Sequence, residues 1–250
     1  MMTSLAPMVL MATVAGAAIP AGALLARIEN LGPAWLEKEF RHSVIAFGGG
    51  ALLSAVALVL VPESVNALST AWIALAMISG GLLFGLLDAA LAKAKGSASQ
   101  LIAMLADFIP EAMALGAMFA AGGNGAMLLA LLIALQNLPE GFNAFREMTA
   151  TEQPAHFHRK RTAQGMSAMP VLLMFVLLVP LGPLAGLAGH YWLASHPAVL
   201  GFIMLFASGG ILYLVFQDIA PQARLEKHWA PSFGAVLGFL FGVMGHIYLG

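Results

Sequence analysis

Three acidic residues lie inside long apolar stretches of this sequence, where a charged group is costly. Asp107 and Glu111 occur in ADFIPEAMALG, and Glu140 occurs in LQNLPEGFNAF. On insertion scales a carboxylate at the centre of a membrane costs roughly 2.5–3.5 kcal/mol unless it is paired, hydrated or bound to a cation. Neither stretch contains a lysine or arginine that could neutralise these groups. The carboxylates therefore require a cation or protons.

The two stretches follow one local design. When their Pro-Glu pairs are aligned, Asp107 falls opposite Gln136. Residues four apart lie on one face of a helix, so each stretch presents two oxygen-bearing side chains one turn apart. Proline leaves a backbone carbonyl without its helical partner and bends the helix, and irregular backbone at membrane depth usually lines a cavity. The sequence therefore predicts one cation site with five candidate ligands: Asp107, Glu111, Gln136, Asn137 and Glu140.

The two amides have an alternative interpretation. Gln136 and Asn137 could hydrogen-bond neighbouring helices and serve only to hold a membrane bundle together. This alternative stays open for the amides, and it is weaker for the three carboxylates.

Composition identifies the elements that must position these residues as membrane helices. Hydrophobic residues make up 60% of the chain, charged residues only 9%, and the mean hydropathy is +0.89. About 20 apolar residues cross a bilayer as a helix, which predicts an all-α bundle of eight transmembrane helices in one membrane domain covering residues 1–250. The predicted spans are 5–26, 43–61, 70–92, 100–121, 124–145, 164–190, 198–220 and 231–249.

Charge gives the orientation and excludes one class of partner. All 11 lysines and arginines fall in the first, third, fifth and seventh loops, so both termini are expected on the non-cytoplasmic side. A net charge of −1 provides no basic field for nucleic acid. Because the chain has no cysteine, disulfides and thiolate metal ligands are excluded. No basic residue precedes Arg27, so the first segment is expected to be a true span and not a signal peptide.

The motifs resemble those of the ZIP family of divalent metal transporters. QNLPEG is similar to the HNxPEG signature of that family, and DFIPEA resembles a degenerate copy of the companion motif in the preceding span. Weaker matches follow in the expected order, at LVLVPES, VPLGPLAG and FASGGILYLVFQDIAP. The resemblance implies the eight-span fold, a homodimer in a cell membrane, and uptake of zinc, iron or manganese into the cytoplasm by alternating access.

The resemblance also assigns ligand positions. Asp107 stands where the family has histidine, while Glu111, Gln136 and Glu140 stand at retained ligand positions and Asn137 at an amide or carboxylate position. Two departures, Phe108 and Val179, replace an amide and an acidic residue, so one metal site is expected where the family has two. The change from histidine to aspartate favours hard cations such as Mn²⁺, Fe²⁺ or Mg²⁺, although zinc remains an alternative.

Other polar residues form a candidate exit path for the cation, although each of them also has a simpler structural explanation. Asp88 and the pair Gln217–Asp218 lie late in the third and seventh spans, where snorkelling or helix capping also explains them. His156 and His158 lie in the fifth loop within AHFHRKR, which also fits a solvated segment. Small residues in the second, third, seventh and eighth spans allow close helix packing, which static packing explains equally well. Together with the resemblance they suggest a scaffold of those four helices, against which the other four shift.

Two other functional classes remain as alternatives. A metal sensor or receptor of the same fold would bind the ion without transporting it. A membrane enzyme could use the paired carboxylates as acid and base, but the spans contain no nucleophile motif and no soluble active-site domain is present. The chain is therefore expected not to be an enzyme and to have no resident cofactor.

Overall fold

A computed structural model describes residues 5–29, 39–94, 98–122, 125–149, 165–225 and 228–249. These residues form eight long helices, and no strand is found among them, which confirms the all-α prediction. The helices are α1 Leu5–Glu29, α2 Arg41–Val65, α3 Thr70–Ala94, α4 Ala98–Ala120, α5 Gly125–Thr149, α6 Ala168–Leu193, α7 Pro197–Ala223 and α8 Ala230–Leu249.

Seven of the eight helices are long and apolar enough to cross a membrane, and α4 is the one outside this set. α4 nevertheless packs among the others, against α3, α5, α6 and α7. The protein is therefore a multi-pass membrane protein, as the composition predicts. The placement of both termini outside the cytoplasm stays a prediction.

Prolines interrupt three of the helices. In α2 a π-helical turn at Val56–Leu60 ends two positions before Pro62, and in α7 a π-helical turn at Val215–Ile219 ends two positions before Pro221. Proline cannot donate the helical hydrogen bond, and the wider turn before it accommodates that gap. In α6 a break at 179–180 separates Ala168–Leu178 from Leu181–Ala188.

Glycine pairs bring the helices together two by two. In each pair, a Cβ atom on either glycine would lie only 1.8–2.1 Å from a backbone carbonyl oxygen of the opposite helix, so neither position has space for a side chain. The contacted carbonyl always belongs to the residue three positions before the opposite glycine. The four pairs are Gly22 with Gly141 (α1–α5), Gly50 with Gly238 (α2–α8), Gly80 with Gly209 (α3–α7) and Gly116 with Gly189 (α4–α6).

Each pair joins two helices, and the four pairs are compatible with two larger groups. α1, α4, α5 and α6 form the first group and α2, α3, α7 and α8 the second, and all four glycine pairs fall within a group. Where a glycine of one group closely approaches the other group, the atom it meets belongs to a side chain. A Cβ on Gly48 of α2, for example, would lie 2.6 Å from Pro139 Cγ of α5. The second group has the same members as the predicted scaffold, and the movement of the other helices against it stays a prediction.

Candidate functional site

The centre of the candidate site is the contact between α4 and α5. Both helices continue through their internal prolines, Pro110 and Pro139. The turn after α4 includes Gly122, whose positive φ of 72° is one that side chains rarely tolerate. The two helices pack together, and Gln136 Nε2 donates a hydrogen bond to Glu111 Oε2. The structure therefore brings together one residue from each of the two repeated motifs.

Asn137 is held by a different helix. Its Nδ2 donates a hydrogen bond to the backbone oxygen of Ala15 in α1 at 2.8 Å. With the amide nitrogens of Gln136 and Asn137 both donating, the amide oxygens are oriented away from those partners. Each amide can therefore bind a neighbouring helix through its nitrogen and still offer its oxygen as a ligand, so the two interpretations are compatible.

Four buried oxygen atoms in this region have no hydrogen-bond partner among the described residues. They are Asp107 Oδ1, Glu111 Oε1, Gln136 Oε1 and Asn137 Oδ1. The side chains are almost fully buried, with relative exposures of 3%, 1%, 0% and 0%, so bulk solvent does not satisfy them. A buried acceptor without a donor costs roughly 1–3 kcal/mol, and more for a charged group. Four such acceptors in neighbouring motifs require protons, a cation or an enclosed water.

The charges around the site increase this requirement. Among the described residues, Asp107, Glu111 and Glu140 interact electrostatically with one another. All three are acidic and repel one another when ionised. The arrangement is therefore suited to a positive ion and unsuited to an anion.

Carboxylates alone do not complete a metal cluster. No group of three His, Asp or Glu side chains in the described ranges lies close enough to hold a metal ion. Glu140, which is only partly buried, lies at the edge of the buried set. A metal held here would need the amide oxygens of Gln136 and Asn137 as well as carboxylates, which are ligand types typical of hard cations.

Phe108 and Val179, two residues at which the chain differs from the motifs it resembles, both lie beside Gly16 of α1. A Cβ on Gly16 of α1 would lie 3.2 Å from Phe108 Cζ and 3.1 Å from the Val179 carbonyl oxygen. A Cβ on Gly182 would lie 2.8 Å from the same Phe108 atom. The Phe108 ring, which is 1% exposed, thus packs beside Gly16 and Gly182. Neither Phe108 nor Val179 has a side chain that could ligate a metal, and the expectation of one metal site stays a prediction.

The candidate exit residues fall into separate places. Asp88 accepts a hydrogen bond from Tyr213 Oη at 3.3 Å and interacts electrostatically with Asp218. This acidic pair lies between α3 and α7, in the group that does not carry the buried oxygens, and Gln217 is exposed. His156 and His158 lie outside the described residues.

The sequence interpretation missed a polar group beyond Glu140. Asn143 donates hydrogen bonds to Glu147 and to Gln222 of α7. The spacing of Gln136, Glu140, Asn143 and Glu147 along one helical face could have indicated two of these residues. No local pattern marks Gln222, because its role depends on how α7 packs.

Comparison with known proteins does not assign a family. A scan against protein-family models and a search of curated proteins found no match to this chain. The structure and the composition together establish an integral, multi-pass, all-α membrane protein, and the described parts of α4 and α5 carry buried oxygens without a hydrogen-bond partner.

Proposed function

We propose that this protein carries a divalent metal cation across the membrane by way of the oxygen-rich site between α4 and α5. The observation that carries the proposal is the set of four buried, unpartnered oxygens on Asp107, Glu111, Gln136 and Asn137. All four atoms are acceptors, and a dehydrated cation would satisfy several of them at once. A site at mid-membrane built from paired half-motifs is also common in transporters.

The donor chemistry supports a hard cation. Carboxylate and amide oxygens suit Mn²⁺, Fe²⁺ or Mg²⁺, whereas zinc and the later transition metals gain more from imidazole or thiolate. The resemblance to ZIP transporters supports the same class of cargo and widens it to zinc. We propose manganese or iron(II) as the preferred ions and zinc as an alternative cargo.

The two helix groups support transport by alternating access. Backbones approach most closely within each group, while the contact between Gly48 and Pro139 at their boundary involves a side chain. Side-chain contacts can be remade after a shift more easily than interlocked backbones. We propose that α1, α4, α5 and α6 move together against α2, α3, α7 and α8 and so expose the site to each side in turn.

Metal uptake by the purified protein in proteoliposomes tests the function. We expect uptake of Mn²⁺ or Fe²⁺ above that of empty vesicles, measured in parallel with Zn²⁺, Cd²⁺ and Co²⁺. Glu111→Gln should reduce uptake to the level of empty vesicles, because it removes a charge from the buried site. Glu39→Gln is the matched control, since Glu39 pairs with His228 on the surface at 3.2 Å and such pairs contribute little.

The outcomes separate the three functional classes. Wild-type uptake by the Glu111→Gln variant would remove the site assignment. Saturable metal binding without any flux would favour the sensor or receptor. We propose no enzymatic activity for this protein. Turnover of a substrate in the absence of metal would contradict this part of the proposal. It also includes a homodimer in a cell membrane, which mass measurement in native lipid would test.

A further inference from the structure

Asn143 carries a buried oxygen that no hydrogen bond satisfies. Its Nδ2 donates to Glu147 Oε1 at 3.1 Å and to Gln222 Oε1 at 3.0 Å, so both of its N–H groups are used. Its Oδ1 is buried and has no partner among the described residues. Because this atom is an acceptor, the group that would satisfy it is a hydrogen-bond donor or a cation.

This residue lies on the face of α5 that leads away from the buried site. Gln136, Glu140, Asn143 and Glu147 follow one another at intervals of three or four positions and therefore form a polar stripe along one side of the helix. Burial decreases along the stripe, from Gln136, which is fully buried, to Glu140, Asn143 and Glu147, which are partly exposed. A cation that leaves the buried oxygens along α5 would meet Asn143 next.

We propose that the Asn143 Oδ1 atom, with its amide held by hydrogen bonds to Gln222 and Glu147, forms a second and weaker station for the divalent cation on the way out of the buried site. The inference rests on the proposed function, because it assumes that a cation moves along α5. It also departs from the exit path predicted at Asp88 and Asp218, which lie between α3 and α7.

The chemistry of the station suits a passing ion. The Asn143 oxygen is a neutral ligand, and the neighbouring Glu147 and Arg146 carry opposite charges, so the station provides less negative charge than the buried site. Conduction requires sites that bind an ion strongly enough to receive it and weakly enough to release it.

The station spans the boundary between the two helix groups. Asn143 belongs to α5 in the first group and Gln222 to α7 in the second, and the hydrogen bond between them joins the groups. Movement of one group against the other would separate the two amides. The station is therefore expected to exist in the arrangement described here and to be lost in an alternate one.

Asn143→Leu tests the station by removing the amide while keeping a side chain of similar size. We expect Mn²⁺ uptake in proteoliposomes to fall about tenfold, which corresponds to about 1.4 kcal/mol in the barrier. Mn²⁺ binding to the protein in detergent should keep the wild-type affinity, because the buried site is intact. Asn143→Asp should keep more uptake than Asn143→Leu, since it retains an oxygen ligand and adds a charge, although it loses both hydrogen bonds that Nδ2 donates.

Asn66→Leu is the matched control, because it makes the same change at the exposed C-terminal end of α2. It should leave both uptake and binding unchanged. If Asn143→Leu does not fold, Gln222→Leu removes the station from the side of α7 and should also lower uptake. Wild-type uptake by either leucine variant, or an Asn143→Asp rate as low as that of Asn143→Leu, would overturn the proposal.

The failure of the station is distinguishable from the failure of the proposed function. If Glu111→Gln abolishes uptake while Asn143→Leu leaves it unchanged, the carrier stands and the station is wrong. If the wild-type protein shows no uptake at all, the proposed function fails, and the station fails with it.

Discussion

The glycine contact next to Glu140 allows a direct test of how the fold holds the site. A Cβ added to Gly141 would lie 2.1 Å from the Ile19 carbonyl oxygen, whereas ordinary contacts of a Cβ begin at 3.4 Å. In Gly141→Ala, α1 and α5 must therefore separate by about 1.3 Å, or the helices must bend by a similar amount, and overpacking of this kind typically costs about 1–3 kcal/mol.

Helix propensity acts in the opposite direction and needs its own control. Alanine is favoured over glycine inside a helix by about 0.8–1.0 kcal/mol. Gly81→Ala isolates this gain, because a Cβ on Gly81 would lie 3.4 Å from its nearest backbone neighbour, the Gly209 carbonyl oxygen. We expect Gly81→Ala to be neutral or stabilising, and Gly141→Ala to be less stable than Gly81→Ala by about 1–3 kcal/mol, the overpacking cost.

Two measurements complete the test of Gly141→Ala. Unfolding in detergent, followed by tryptophan fluorescence, gives the difference in stability between the two alanine variants. Mn²⁺ uptake gives the effect on the site, and it should fall more than the loss of folded protein explains, because the displaced residue adjoins Glu140. A Gly141→Ala protein as stable as Gly81→Ala would refute the close approach of α1 and α5 and the reasoning built on it.

Two further predictions concern buried side chains around the site. Asn137→Ala removes the hydrogen bond to the Ala15 carbonyl oxygen, so stability should fall by about 0.5–1.5 kcal/mol and Mn²⁺ affinity in detergent should fall with it; unchanged affinity would exclude Asn137 as a ligand. Phe108→Ala should destabilise the protein by about 3–5 kcal/mol in unfolding experiments, because it leaves a cavity beside Gly16 and Gly182; a small effect would show that the ring is not a packing element.

Much of the fold could be predicted because the bilayer limits the structural choices. Runs of about 20 apolar residues have to be helices, since no water is present to hydrogen-bond their backbone. The boundaries differ by a few residues because polar helix ends have no hydrophobic signature. α5, for example, was predicted at 124–145 and extends over Gly125–Thr149, with Asn143 and Glu147 near its polar end.

The site was only partly predictable. The repeat of the Pro-Glu motif correctly anticipated that α4 and α5 contact each other, and the structure adds the hydrogen bond between Gln136 and Glu111. The contact of Asn137 with Ala15 was not predictable, since it joins residues of α5 and α1 that lie far apart in the chain. The contact of Asn143 with Gln222 was missed for the same reason, because it joins α5 to α7.

The attachments of α4 and α5 indicate what a bound cation would do mechanically. α4 is held against α6 through Gly116 and Gly189, and α5 against α1 through Gly22 and Gly141, so different partners position the two halves of the site. Across the site itself, the described link is the hydrogen bond from Gln136 to Glu111, while the acidic side chains repel each other when ionised. A cation would replace that repulsion with attraction to both helices. Binding should therefore tie α4 to α5 and let the helix group that contains them move as one body, which couples occupancy of the site to the motion that transport requires.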